Sequence, residues 1–364
     1  MKSITEIIGG AQGLFNLSYK LQGCFEEYLS DEYKTFLQML RVIEDALPPI
    51  TREYAGIGRK PYQYLPFIRS NLAMRYFKIG QVKTLIQRLK GEPNLRLLCG
   101  FDKVPGKATF SRYFSELAAM DFFHETLEKM VRKVHANTIV LHVSRDSTAI
   151  EAREKAAAKK IEKKEKKCCG RPKKGETRLP PPENKLEKQV KQSAKESLKE
   201  LNTSCAYGCK KNSQGNVYFW RGYKLHLDIS DSGFPLNAII TGANVHDSQV
   251  AIPMEKMLEE KVRSCYSLMD ARHDAKTIYD FIQSCGRVAI IDPNKRKNKE
   301  RPPLDPAKKE QYNFRTEVER ANGYLKDNLL PAKLFVKGFS KISFVLMSAV
   351  VCLAALRTIQ HFIL

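Results

Sequence analysis

The stretch "NVYFWRGYKLHLDISDSGFPLNAIITGANV", residues 216–245, holds two runs rich in β-branched and aromatic residues, joined by Asp231, Ser232 and Gly233. Such a pattern reads as a β-hairpin, with the small polar residues supplying the reversal. Upstream, "NTIVLHVSRDSTAI" (137–150) is a further strand, ending in Asp146 and the turn-forming Ser147. Downstream come a helix, "HDSQVAIPMEKMLEEKV" (246–262), and a strand, "CYSLMDARHDA" (265–275), that ends in Asp270. A helix, "AKTIYDFIQSC" (275–285), and a fifth strand, "RVAIIDPN" (287–294), follow. The order predicts a mixed α/β sheet with an antiparallel start and a parallel continuation.

Residues 1–135 have a different texture, helix after helix with apolar residues at three- and four-residue spacing, as in "DEYKTFLQMLRVIEDAL" (31–47). Within them "LRLLCGFDKVPGKATFSRYFSEL" (95–117) reads as helix, tight turn, helix. Thr109, Ser111 and Arg112 open the second helix, where a DNA-recognition helix presents its contacts; an ordinary helical hairpin fits the same pattern. Residues 151–200 carry 17 Lys or Arg against 9 Asp or Glu and few large apolar side chains, so they read as an inserted basic arm, partly helical or disordered, unable to supply a core. In that arm "CCGRPKKGE" (168–176) resembles an AT-hook core, or is a plain basic linker. Cys168, Cys169, Cys205 and Cys209 match the spacing of no common zinc finger.

The net charge of +22 over 364 residues calls for a polyanionic partner, nucleic acid before an anionic membrane. Nine cysteines and a start, "MKSITEIIGG", without a signal-peptide apolar region point to a reducing, cytoplasmic setting. The apolar run in "ISFVLMSAVVCLAALRTIQHFIL" (342–364) is about 15 residues before Arg357, short of the roughly 20 a span needs, and predicts a buried core helix.

Asp146 and Asp270 stand at strand ends, where open α/β sheets bind ligands, although such aspartates also cap helices. A third carboxylate comes from "YNFRTEVERANGYLKD" (312–327). At about 100° per residue, Tyr312, Arg315, Glu319 and Lys326 share an arc of about 60°, with Glu317 about 160° from Glu319. Phe314, Val318, Ala321 and Leu325 form the opposing apolar face. An amphipathic helix with an Arg-Glu pair explains this much alone. Three converging carboxylates, however, repel unless cations neutralise them, which suits Mg²⁺ or Mn²⁺ with hard oxygen ligands.

These residues resemble a DDE-type insertion-sequence transposase with a ribonuclease H-like catalytic core. The family's Tyr-x2-Arg-x3-Glu-x6-Lys signature is matched by Tyr312, Arg315, Glu319 and Lys326 with every spacing intact. "SRDST" (144–148) is similar to the first acidic motif and "LMDARHD" (268–274) to the second, with "GYKLH" and "ANVHDS" between them. The resemblance spans 137–364 and extends more loosely into the N-terminal helices. It implies a helical DNA-binding domain (1–135) and a ribonuclease H-like domain (136–364) with a basic insertion at about 151–210. It implies that Asp146, Asp270 and Glu319 are catalytic and hold two Mg²⁺ or Mn²⁺ ions, and that Tyr312, Arg315 and Lys326 grip DNA near the cut end. The expected partners are double-stranded DNA, as terminal inverted repeats and target, and a second copy of the chain in the DNA complex. The expected place is the prokaryotic cytoplasm, on the nucleoid.

Two departures from the family pattern stand out. His273 occupies the region where an aromatic often follows the second aspartate, and only 49 positions separate Asp270 from Glu319, too few for the β-rich insertion some relatives carry. A hairpin-forming excision route is therefore not implied. Trp220 is expected in the core, Asp247 as a helix cap, and His226 and His246 either near the site or outside it. Rival functions are a transposase-derived DNA-binding protein without activity and a structure-specific nuclease without strand transfer.

Overall fold

The computed structural model describes residues 28–363 apart from 55, 57, 59, 159–182, 212–213 and 296–301. The AT-hook-like segment and Cys168 and Cys169 lie outside the described residues.

Among the described residues six helices come first: α1 (Asp31–Ala46), α2 (Leu65–Tyr76), α3 (Val82–Gly91), α4 (Pro93–Cys99), α5 (Lys107–Met120) and α6 (Phe122–Val134). In α1 the hydroxyl of Ser30 accepts from the Tyr33 amide, and Phe36, Leu40 and Ile43 form its buried stripe. Helix α2 is buried nearly all round, including the charged Arg69 and Arg75. Helix α4 stops at Gly100, whose φ of 85° suits glycine at a helix end.

The sheet begins with β1 (Ile139–Glu151), after which α7 (Lys185–Lys191), α8 (Ala194–Lys199) and β2 (Ala206–Lys211) lead to β3 (Val217–Ile229) and β4 (Pro235–Gly242). Next come α9 (Ser248–Glu259), β5 (Arg263–Met269), α10 (Lys276–Ser284) and β6 (Val288–Ile291). The sheet order is β2-β3-β1-β5-β6, with β4 also paired to β3. β3 runs antiparallel to β1, β2 and β4, while β5 and β6 continue in parallel. This is the mixed α/β sheet with flanking helices expected from the sequence. The sixth strand, β2, had been read as part of the basic arm.

Then follow α11 (Pro306–Tyr312), a 3₁₀ turn (Asn313–Arg315), α12 (Thr316–Tyr324), a π turn (Leu325–Leu329) and the long α13 (Phe339–Thr358), which runs into a second π turn (Ile359–Ile363). The apolar helix running through Phe339–His361 is long and apolar enough to cross a membrane, yet 83% of its most apolar window is buried inside the protein. Its side chains join those of α1, α2, α5 and α6 and one face of the sheet in a single core. The N-terminal helices and the sheet therefore share packing through α13.

The described part of residues 151–210 differs from the expected arm. Leu186 packs with Ile252, Ile278 and Ile282, and Leu198 of α8 with Leu201 just beyond it packs with Val245, Val250 and Met254, so α7 and α8 help cover the second face of the sheet. Both short helices begin with capping boxes, Asn184 with Glu187 and Ser193 with Glu196. Trp220 is in the core as expected, 4% exposed, with its indole N–H donating to the Tyr223 carbonyl at 3.3 Å. Its ring lies over Gly208 on β2, where a β-carbon would collide with it.

Candidate active site

The sheet register brings the two aspartates together. β1 and β5 run in parallel as far as the Arg145–Met269 pair, so Asp146 and Asp270 are the next residues on neighbouring strands. Asp270 ends its strand and caps the 3₁₀ turn Ala271–His273, accepting from the Arg272 amide at 3.1 Å. Asp146 does not end a strand, as had been expected: β1 continues to Glu151, with Asp146 opposite Leu227 of β3. The end that matters is that of the parallel pairing, beyond which β1 has only β3 beside it.

Glu319 reaches the same place from α12. The Ser144 hydroxyl donates to the Phe314 carbonyl at 3.1 Å, and the Phe314 ring stacks on His142 at 4.2 Å, pinning the segment across β1. Val318, Ala321 and Leu325 are buried as the pattern predicts, whereas Phe314 is 45% exposed and serves this stack. The segment is not one ideal helix, because the 3₁₀ and π turns tighten and loosen it. Arg315 still meets Glu319 at 2.6 Å and lies over the Tyr312 ring at 5.9 Å. Lys326 is exposed on the π turn, where partial burial, and then the charge of Lys210, lower its ammonium. Glu317 points elsewhere and pairs with Arg320.

An open cleft of about 360 Å³ results, lined by Asp146, Asp270, Glu319, Lys210, Arg272, Arg315 and their small polar neighbours. Burial and the adjacent Asp270 push the Asp146 carboxyl up, against the pull of Arg315 at 3.9 Å. Burial also opposes the charge of Asp270, but the hydrogen bond and charge of His273, at 2.8 Å, outweigh it and hold that carboxyl down. A cleft that keeps one carboxylate at a cost beside another suits a cation, and the donor set is the hard-oxygen kind Mg²⁺ and Mn²⁺ prefer. Among the described residues no three His, Cys, Asp or Glu groups are gathered tightly enough to hold one ion. Glu319 is the outlying member, turned to Arg315.

Several lining residues had no place in the sequence reading. Lys210 was counted in the basic arm, yet β2 carries it to the cleft. Asn322 donates to Asp146 at 3.3 Å, and its i+3 spacing from Glu319 was the available signal. Asp247 occupies the cap position of α9 but makes no capping bond, contrary to expectation. Its carboxylate is 2% exposed and accepts from the Ser147 hydroxyl, the Lys224 ammonium and the Arg272 guanidinium, each at 2.9 Å. It thereby ties together the residue after Asp146, the middle of β3 and the turn after Asp270.

On the far side of β1, Arg145 makes a two-pronged bond to the fully buried Asp228, at 2.6 and 2.9 Å. Glu255 of α9 joins Arg145 to Arg287. His226 does not line the cleft: it is buried against Thr241, and burial pushes it down to about 3, leaving it neutral. His246 bonds Ser248 and is also outside. His273 is buried beneath Asp270, which removes it as a direct DNA contact. Thr109, Ser111 and Arg112 sit on the first turns of α5, Ser111 and Arg112 exposed and Thr109 half-buried, and none lines this cleft.

Residues 141–354 match the model described as Transposase DDE domain, and residues 25–116 match the Transposase domain (DUF772) model. No curated protein and no solved structure matches the chain. The first model spans more than half the chain and contains all three carboxylates of the cleft: the chain belongs to the DDE transposase family.

Proposed function

We propose that this transposase cuts DNA at the ends of an insertion sequence and joins the freed 3′-hydroxyls to target DNA, working in the prokaryotic cytoplasm. What supports the reading is that Asp146, Asp270 and Glu319, remote in sequence, line one cleft bordered by Lys210, Arg272 and Arg315. In the first reaction a water oxygen attacks phosphorus, the bond to the 3′-oxygen breaks, and that oxygen leaves as a hydroxyl after taking a proton. In the second, the 3′-hydroxyl loses its proton, attacks a target phosphodiester and displaces the target's own 3′-oxygen.

Asp146, Asp270 and Glu319 would hold two Mg²⁺ or Mn²⁺ ions, with Glu319 exchanging Arg315 for an ion. When bound, such ions acidify the attacking water or hydroxyl and stabilise the leaving oxygen. The guanidinium of Arg315 offers phosphate a planar fork and Lys326 a point charge, with Tyr312 packed under Arg315. Thr109, Ser111 and Arg112 would contact the terminal repeat from α5. Two copies of the chain would act on paired ends. The functional division falls near residue 135, between helices that read DNA and the sheet that cuts it.

The test is strand cleavage of a labelled terminal-repeat duplex in Mg²⁺ or Mn²⁺, with binding checked in Ca²⁺. Asp146→Asn, Asp270→Asn and Glu319→Gln should bind but lose cleavage by several orders of magnitude, as expected when activation of the nucleophile is lost. Glu317→Gln, which only frees Arg320 on the surface, should cleave within a few-fold of the parent. An inactive Glu317→Gln beside an active Glu319→Gln would refute the assignment.

A further inference from the structure

A second cavity, of about 420 Å³, lies away from the carboxylate cleft, between α2, the starts of α3 and α5, and the segment around residues 331–345. Its charge is one-sided. Arg75, Lys83, Lys107, Arg153, Lys337 and Lys341 line it, and among its described lining residues there is no carboxylate. Surface lysines alone would be a solvated face, but Arg75 is not on the surface. It is 2% exposed, and its Nε and Nη1 have no hydrogen-bond partner among the described residues. One turn earlier on α2, the equally buried Asn71 also lines the cavity with its amide nitrogen unpartnered.

A buried guanidinium without an anion is costly, and a protein seldom leaves three such donors empty. Burial with no anionic neighbour pulls the Arg75 guanidinium down to about 10. Two helices add to the field: α3 and α5 both begin at this cavity, and neither start has a side-chain cap, so their free amides present positive ends. The missing partner must be anionic, able to accept several hydrogen bonds and small enough to reach α2.

We infer that this cavity is a phosphate-binding site, with Arg75 and Asn71 as its floor and the lysines as its rim. A guanidinium fork and an amide match the several acceptor oxygens of one phosphate group, and the rim lysines act as point charges around it. The phosphate belongs either to a DNA strand or to a free phosphate-bearing small molecule. The inference is independent of strand cleavage: a protein with no nuclease activity would still show it.

The experiment uses the full chain, with thermal unfolding in inorganic phosphate against chloride at equal ionic strength. Binding to a short duplex of random sequence is measured at several salt concentrations. Phosphate at about tenfold its Kd should raise the parent's Tm by roughly 2 °C, and Arg75→Met should abolish that rise. Without phosphate, Arg75→Met should melt no lower than the parent, because an unpaired buried charge has been removed. If a DNA strand supplies the phosphate, the variant's salt slope should fall by about one. If the slope holds while the phosphate effect is lost, the site takes a free phosphate compound. The double variant Lys337→Ala, Lys341→Ala, on the exposed rim, should weaken phosphate several-fold and serves if Arg75→Met does not fold. An undiminished phosphate effect in the variants that fold overturns the inference.

Discussion

Replacing Asp247 by Asn is expected to destabilise the fold strongly while sparing the three carboxylates of the cleft. The substitution keeps size but removes a charge that faces Lys224 at 2.9 Å, with both side chains buried. At that separation and an effective dielectric near 20, the attraction is about 6 kcal/mol. The Asn oxygen still accepts a bond, so the net loss should be about 3–5 kcal/mol, the range for breaking a buried pair. Arg272 adds less than about 1 kcal/mol, because its side chain is 35% exposed and water replaces the lost partner. The expected fall in Tm is about 5 °C, read by calorimetry, with urea unfolding giving the free-energy loss directly. Lys224→Met alone should lose a similar amount, and the double variant should recover much of it, since no buried charge is then left unpaired. Losses that simply add in the double variant would refute the reasoning. The gap also depends on pH. Burial raises the Asp247 carboxyl, but His226, once acid protonates its ring, together with Lys224 and Arg272 holds that carboxyl far below the ordinary carboxylate range. Its stabilisation is therefore complete above the unfolded value of about 4 and fades as pH falls through the lower folded value. Parent and variant should converge only in strong acid.

Excising residues 159–182 should lower the salt dependence of non-specific DNA binding with little change in Tm, whereas extending the cut to residue 199 should destabilise the protein by uncovering Ile252 and Ile278 beneath Leu186; equal melting of the two deletions would count against α7 and α8 as core elements. Cys99 and Cys352 are wholly buried, and burial pushes both thiols up to about 12, so native protein should leave them unmodified by iodoacetamide while the exposed Cys209 reacts; mass mapping of the alkylated sites checks this.

Much of the catalytic half was legible because its strands alternate or run apolar and its turns carry Gly, Asp and Ser. The hairpin at 216–245 appears as β3 and β4, and the parallel continuation as β5 and β6. The convergence of Asp146, Asp270 and Glu319 was legible as motif and spacing. What packing decides was not legible. β2 is a short strand amid lysines, recruited by the edge of β3, and its role in bringing Lys210 to the cleft has no local signature. Leu186 and Leu201 were too few to suggest core helices, although the capping boxes at Asn184 and Ser193 marked the helix starts. Asp247 looked like a cap because local spacing cannot reveal that Lys224 arrives from β3 and Arg272 from the turn after β5. The sharing of one core by the N-terminal helices and α13 joins residues more than 200 positions apart, and no window of sequence contains both.

That shared core has a consequence during synthesis. A ribosome releases α1, α2, α5 and α6 long before it makes α13, so their apolar faces wait uncovered until the last turns emerge. A chain that stops before Phe339 would hold helices that cannot close around their missing centre, a polypeptide for proteases. Any DNA-binding measurement therefore needs a chain that includes α13, since residues 1–135 alone lack the helix that completes their core.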